Sequence, residues 1–168
     1  PEGCIGVSDI EGNCYAIIQI GDQIWMAENL KVTHYNDGSE ISTGYSNEEW
    51  TELETGAYAV YDDDLENAAI YGNLYNWFAV DDGRGLCPDG FHVATDDEWT
   101  ILTDYLGGND AAGGKMKEEG HEHWIYWSDE MTEEATNESG FTALPAGCRR
   151  SFSGTYNDMS YMSYFWSS

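Results

Sequence analysis

Acidic residues outnumber basic residues more than fivefold, and this imbalance constrains every structure that the chain can adopt. The sequence contains 32 Asp and Glu against 6 Lys and Arg, a formal net charge of -26 over 168 residues. Its hydrophobic fraction of 41%, with 7 Trp and 12 Tyr, supplies the apolar surface that disordered acidic tails lack. We therefore predict a folded chain whose self-repulsion is screened by divalent cations or a salty exterior. The scarcity of Lys and Arg argues strongly against nucleic acids as partners and disfavours an anionic membrane surface, because these residues mediate binding to both.

The length predicts a single domain spanning residues 1–168, long enough to bury one hydrophobic core. No run of residues approaches the ~18 apolar residues of a transmembrane helix. The chain opens at Pro1 without an initiator Met or a signal peptide. We interpret it as a processed mature form or an excised fragment.

The cysteines are even in number and widely separated in the sequence. No CxxC pair occurs, which disfavours a tetrahedral zinc site. An even count in an acidic chain fits an oxidising exterior with zero to two disulfides, and four buried thiols are the alternative. The sequence leaves the pairing open among four candidates: Cys4, Cys14, Cys87 and Cys148.

Short strands dominate the predicted N-terminal region. Residues 14–20 and 23–27 are rich in β-branched and aromatic side chains, and the turn residue Gly21 between them predicts a β-hairpin. A further short strand is predicted at residues 57–61.

Two helices are predicted in the middle of the chain. Thr95 and Glu98 form a capping box for the second helix, and Gly107 ends it. The apolar stripe of that helix consists of Trp99, Leu102 and Leu106. The first helix is predicted from residues at i, i+3, i+4 and i+7, namely Tyr71, Leu74, Tyr75 and Phe78.

No further long periodic element is predicted after residue 109, and the tail from Phe141 has the pattern of short strands and loops. The predicted fold class is α+β, with an N-terminal β-hairpin, two helices and a loop-rich C-terminal β section.

Clustered carboxylates are candidate calcium ligands, because Ca²⁺ takes six to eight oxygen ligands. The EF-hand spacing is absent, and a solvated acidic loop is the alternative for each cluster. The candidate metal ligands are Asp62, Asp63, Asp64, Glu66, Asn137 and Glu138. His121 and His123, together with His92, are weaker candidates for a transition metal, since histidines in a polar loop are more often simply exposed.

The C-terminal segment 151–166 is rich in Tyr, Ser and Asn. These residue types form recognition surfaces, because they combine rigid aromatic area with adaptable hydrogen bonding. The candidate ligand-binding residues are Tyr156, Asn157, Asp158, Tyr161 and Tyr164. The alternative is ordinary packing in a sheet, and we expect Trp166 to lie in the core.

Several stretches occur in an order that resembles one protein family. They are residues 9–13, 23–30, 71–77, 87–93, 95–99, 113–118, 135–141, 144–145 and 165–168. Each stretch is weak alone, but together and in this order they make the chain similar to the Fibrobacter succinogenes major paralogous domain.

The resemblance implies a C-type-lectin-like fold, related to the formylglycine-generating group, and display outside a bacterial cell. It implies no enzymatic activity, and it places the C-terminal segment where C-type-lectin-like proteins have their ligand-binding face. Formylglycine chemistry needs two close thiols near the C-terminus, and only Cys148 lies there. The calcium-binding sugar motifs of C-type lectins are also absent.

The chain departs from the family pattern at three places. Ala94 replaces a usual Pro, and residues 146–149 replace a usual Gly-Gly-Tyr-Arg, so that Cys148 is expected to form a disulfide peculiar to this chain. The sequence also stops at Ser168, short of the closing strands that family members normally have. Either the chain is a fragment, or this stop leaves an open sheet edge, which is a template for a strand of another chain.

The leading hypothesis is a non-enzymatic, secreted or surface-displayed adhesion domain that recognises a protein or glycan through the C-terminal segment. The alternative is a structural subunit of an extracellular fibre or surface layer, completed by strand exchange with copies of itself.

Overall fold

The computed structural model describes residues 3–125 and 135–168, and it has the predicted α+β class. Its strands are β1 (Val7–Ser8), β2 (Cys14–Tyr15), β3 (Ile17–Ile20), β4 (Gln23–Met26), β5 (Tyr58–Ala59), β6 (Leu74–Tyr75), β7 (Cys148–Arg149) and β8 (Tyr156–Asn157). Its helices are α1 (Asn47–Thr51), α2 (Leu65–Tyr71), α3 (Trp77–Val80), α4 (Asp96–Tyr105) and α5 (Asn109–Met116). A short 3-10 helix, Tyr61–Asp63, precedes α2.

The strands pair as four separate antiparallel ladders of two strands each within these residues. The predicted N-terminal hairpin is confirmed. Strands β3 and β4 are antiparallel, with Ile17 opposite Met26 at one end and Ile20 opposite Gln23 at the other. The predicted first strand is divided at Ala16, whose amide donates to Glu28 Oε1 at 2.9 Å. Cys14 and Tyr15, the first two residues of the predicted strand, pair with β1. The predicted strand is therefore divided between two ladders.

The predicted helix through Tyr71, Leu74, Tyr75 and Phe78 is wrong. Helix α2 ends at Gly72, where φ is +73°, and the next residues form strand β6, paired with β5. Asn73 holds this strand in place, because its amide donates to the Leu30 carbonyl at 2.9 Å. Long-range strand pairing thus overrides the local helical spacing, and α3 begins only after Asn76 caps it.

The predicted second helix is confirmed as α4. Thr95 and Glu98 form the capping box, and Leu102 and Leu106 are buried along its length. After the helix, the Gly108 amide donates to the Thr103 carbonyl at 2.8 Å, and φ at this glycine is +91°.

Helix α5 was not predicted, so the expected total of two helices is too low. Its centre contains Gly113 and Gly114, which lower helix propensity, and its hydrophobic periodicity is weak. The helix is stabilised instead by tertiary packing: Ala112 and Met116 are buried against Leu102 of α4.

The core consists of three hydrophobic clusters. The first joins the N-terminal hairpin to α4, α5 and Phe141. The second surrounds Tyr35 and lies against β5, β6 and α3. The third surrounds Trp50 of α1 and contacts Tyr156 of β8. Because each cluster combines segments distant in sequence, the short ladders depend on long-range packing.

The C-terminal segment lies across the body of the protein. Phe165 packs on Trp99 and on Phe141, with ring centroids 5.4 and 5.6 Å apart. The expectation that Trp166 is a core residue is wrong, since it is 46% exposed. Its indole nevertheless donates to the Tyr75 carbonyl at 2.9 Å, so the ring is fixed at the surface. No helix within the described residues is long and apolar enough to cross a membrane.

Replacement of Thr95 by Ala is expected to destabilise the protein by about 1 kcal/mol, because the Glu98 amide loses its side-chain acceptor. Chemical denaturation measures this change. The control is Thr100→Ala, an exposed position within the same helix, where a change within about 0.5 kcal/mol is expected. Equal losses in both variants would contradict the role of the cap.

Candidate functional site

The hairpin of β7 and β8 and the turn that follows it carry three of the predicted ligand-binding residues. Cys148 pairs with Asn157 and Arg149 pairs with Tyr156 in the antiparallel register. Immediately after β8, Asp158 adopts a φ of +68° and its carbonyl accepts hydrogen bonds from the next turn. The chain therefore reverses at Asp158 and returns toward Tyr164.

Arg149 fixes this hairpin to the body of the protein. Its guanidinium lies between two aromatic rings, 4.4 Å from the centroid of Trp50 and 4.9 Å from that of Tyr156. Nε donates to the Gly154 carbonyl at 2.8 Å, and Nη2 donates to the Tyr45 carbonyl at 2.7 Å. Arg149 is only 9% exposed, so water solvates little of its guanidinium. The two carbonyls and the two aromatic rings stabilise its positive charge instead.

Arg150 organises the side chains on the other face of the hairpin. Its Nε donates to Asn157 Oδ1, and its Nη2 donates to Asp158 Oδ2, both at 3.0 Å. The hydroxyl of Tyr164 donates to the same Asp158 oxygen at 2.9 Å. This hydrogen bond raises the pKa of Tyr164, which keeps its hydroxyl protonated. We call Arg150, Asn157, Asp158 and Tyr164 the C-terminal network.

Tyr156 links the hairpin to the predicted acidic metal site. Its hydroxyl donates to Asp63 Oδ1 at 2.7 Å, and its ring packs 5.2 Å from that of Tyr61. Burial, and then the hydrogen bond to Asp63, raise the pKa of Tyr156. Two regions that the sequence presented as separate candidate sites are therefore neighbours.

The acidic run itself is divided among different local roles. Asp62 and Asp63 both have positive φ, and Asp64 caps α2 by accepting from the Glu66 amide at 3.0 Å. Within residues 3–125 and 135–168, this run does not bring three carboxylate ligand atoms within 4.8 Å of one another.

The second predicted metal pair, Asn137 and Glu138, also lies in a well-defined turn. Asn137 Oδ1 accepts from the Thr142 amide at 2.9 Å, and its Nδ2 donates to the Thr142 hydroxyl at 2.9 Å. Glu138 forms an ion pair with Lys115 at 3.5 Å. The amide of Asn137 is thus engaged in closing the turn.

The histidines do not come together as the sequence suggested. His92 contacts Glu98 at 2.8 Å, whereas His123 contacts Glu118 at 2.9 Å. Glu118, Glu122 and His123 bring their ligand atoms within 4.8 Å of one another. The sequence analysis missed both glutamates, since their spacing matches no common metal motif.

A cavity of about 490 Å³ opens beside the C-terminal network. Tyr164 belongs to both, and Arg149 contributes to the cavity wall. Asn73 also lines it, and its Oδ1 is buried without a hydrogen bond among the described residues. The aromatic part of the wall, which also contains aliphatic and polar residues, is formed by Trp50, Tyr71, Tyr75, Trp99, Tyr164, Phe165 and Trp166. Of the five predicted ligand-binding residues, Tyr164 lines this cavity, whereas Tyr156, Asn157, Asp158 and Tyr161 lie outside its wall.

Comparison with known families gives one match, to the Fibrobacter succinogenes major domain over residues 18–168. The chain belongs to this family. No curated protein and no solved structure matches it. The match extends through α4, β7, β8 and the C-terminal network, so these features belong to the family region of the chain.

One disulfide joins Cys4 and Cys14, whose Cα atoms are 5.7 Å apart, and both cysteines precede the region matched by the family model. Cys87 and Cys148 are free thiols, so the disulfide expected for Cys148 is absent. Burial raises the pKa of Cys87 to about 11 and also raises that of Cys148. Both thiols line the cavity in their protonated form.

Arg149→Lys is expected to destabilise this domain by about 2 kcal/mol, because an ammonium cannot reproduce the planar stacking and the two directed hydrogen bonds. The matched control is the neighbouring Arg150→Lys, where the partly exposed ion pair predicts a loss within about 0.5 kcal/mol. Chemical denaturation of both variants measures the difference. Equal destabilisation would contradict the anchoring role of Arg149.

Proposed function

We propose that the protein is a non-enzymatic recognition domain that binds a glycan or a protein through its C-terminal face. The observation that carries this proposal is the C-terminal network beside the aromatic cavity. Exposed side chains held by mutual hydrogen bonds lose little conformational entropy when a ligand binds. Such preorganised surfaces therefore bind more tightly than flexible ones.

The chemistry of this face suits a ligand with both polar and apolar surfaces. Asp158 presents a carboxylate, and Arg150 carries guanidinium donors. The oxygen of Tyr164, whose proton is donated to Asp158, is an acceptor, and the aromatic residues of the wall supply flat apolar area. A cavity of about 490 Å³ has the size of a small-molecule site, which fits a sugar unit or one protruding side chain.

Binding is favoured over catalysis because the reactive groups of this face are held in unreactive protonation states. The raised pKa values of Cys87 and Cys148 keep both sulfurs as thiols, and a thiol is a weak nucleophile. The pKa of Tyr164 is likewise raised by its bond to Asp158, so it acts as a hydrogen-bond donor.

The proposal includes a C-type-lectin-like fold and a location outside the bacterial cell. The location is supported by the Cys4–Cys14 disulfide, since disulfides persist in oxidising environments. The fold is supported by the arrangement of helices followed by a loop-rich C-terminal β section that carries the candidate face.

The binding proposal is tested with arrays of immobilised oligosaccharides and peptides, followed by titration of any ligand found. Tyr164→Phe and Asp158→Asn are expected to weaken binding about tenfold, since each removes a hydrogen bond of the network that involves a charged group. Tyr105→Phe, on an exposed tyrosine of α4, is the control and should leave the affinity unchanged. The proposal fails if the array yields no ligand, or if all three variants bind equally well.

We also propose that calcium supports the folded protein at the acidic run, with backbone carbonyls and water completing its coordination. Calcium at about 100 times its dissociation constant is then expected to stabilise the fold by ~2.7 kcal/mol, as a rise in Tm. Asp62→Asn should reduce the rise without straining the backbone, because Asn tolerates the positive φ of this position. Asp89→Asn removes one charge from another exposed loop and should keep the full rise. Equal shifts in both variants would indicate general charge screening.

Assembly into a fibre or layer is the second candidate function, and the exposed C-terminal segment favours it. Tyr161, Met162, Tyr164, Phe165 and Trp166 are each between 39% and 52% exposed. A surface of this composition can pack against another copy of the chain. Particle mass by light scattering, with calcium and then with chelator, separates the candidates. Defined polymers favour assembly, whereas a folded monomer in both conditions favours recognition.

A further inference from the structure

The loop between α5 and residue 125 carries two glutamates and a histidine whose ligand atoms converge. One carboxylate oxygen of Glu118, one carboxylate oxygen of Glu122 and a ring nitrogen of His123 lie within 4.8 Å of one another. We propose that these three side chains form a binding site for a divalent transition metal of the zinc class. The site is separate from the acidic run at residues 62–66 and from the C-terminal network.

The loop is anchored by hydrogen bonds to the carbonyl groups of Ala143 and Ser160. The Glu118 amide donates to the Ala143 carbonyl at 3.1 Å, and the Trp124 indole donates to the same carbonyl at 3.0 Å. Trp124 is buried, and the Ile125 amide donates to the Ser160 carbonyl at 2.8 Å. Both ends of the ligand-bearing loop are therefore anchored, so the ligands are brought together before any metal binds.

The ring of His123 is also oriented by its surroundings. It packs edge-on against Tyr71, with centroids 5.5 Å apart and planes at 81°. Its Nδ1 lies 3.0 and 2.9 Å from the two carboxylate oxygens of Glu118. The ligand atoms of a tetrahedral zinc ion are ~3.4 Å apart. A small movement of the His123 ring away from Glu118 would therefore make room for the metal.

Electrostatics favours a cation at this point. Two carboxylates within 4.8 Å repel each other. The repulsion adds to that of a chain with net charge -26. A divalent ion bound by both glutamates would remove it.

The ligand types select the class of metal. Imidazole nitrogen suits zinc, nickel, copper and iron, whereas calcium and magnesium prefer oxygen alone. One nitrogen and two carboxylates leave a tetrahedral ion one position for water or for a group of another molecule.

Titration of the chelator-treated full chain with Co²⁺ alone, followed by absorbance, tests the site, and Zn²⁺ should displace the Co²⁺. We expect one ion per chain, with affinity lowered at least about tenfold in Glu122→Gln and in His123→Ala. Glu122 is exposed, so Glu122→Gln should keep the fold, which near-UV circular dichroism verifies. His121→Ala is the matched control, because it removes a histidine of the same loop that lies outside the converging group.

Several results would overturn the proposal. A sulfur-to-cobalt charge-transfer band would place the metal on Cys87 or Cys148. Displacement of Co²⁺ by excess Ca²⁺ would place it among the surface carboxylates. Equal affinity in the native chain, Glu122→Gln and His123→Ala would show that this loop binds no metal.

Discussion

The structure depends on an aromatic cluster that joins three distant parts of the chain. Trp25 of the N-terminal hairpin, Trp99 of α4 and the two phenylalanines Phe141 and Phe165 have ring centroids between 4.8 and 6.2 Å apart. Ladders of two strands are marginal by themselves in water, so burial of these rings must supply much of their stability. The cluster also positions the C-terminal segment, because Phe165 is one of its members. The cavity and the candidate binding face follow from that placement.

The high negative charge is accommodated through specific hydrogen bonds as well as by solvent. The buried carboxylate of Asp9 accepts from two backbone amides, the Asn13 side chain and the Tyr15 hydroxyl. Asp64 and Glu98 cap helix N-termini, where the helix dipole favours negative charge. Hydrogen bonds of this kind stabilise individual carboxylates, but they leave the net charge of the chain unchanged. The two cation proposals, calcium at the acidic run and a transition metal at His123, address that remaining charge.

Prediction from sequence succeeded where the interactions are local. The capping box of Thr95 and Glu98 joins residues three apart, and the N-terminal hairpin turns at Gly21, so both elements were predicted correctly. The candidate ligand-binding residues were proposed from composition and from the family resemblance, and the structure joins Asn157, Asp158 and Tyr164 in one hydrogen-bond network. What the composition could not supply was their support by Arg149, which reaches Tyr45, 104 residues away in the chain.

The sequence by itself determined the fold class, helix α4, the N-terminal hairpin and the family. Tertiary structure alone decided that Leu74 and Tyr75 form a strand, that α5 is a helix, and that Trp166 lies at the surface. It also decided the convergence of His123 with its two glutamates. The physical reason is the same throughout. Hydrogen bonds and packing between residues far apart in the chain outweigh local propensities of a few tenths of a kcal/mol per residue, and such partners have no fixed spacing in the sequence.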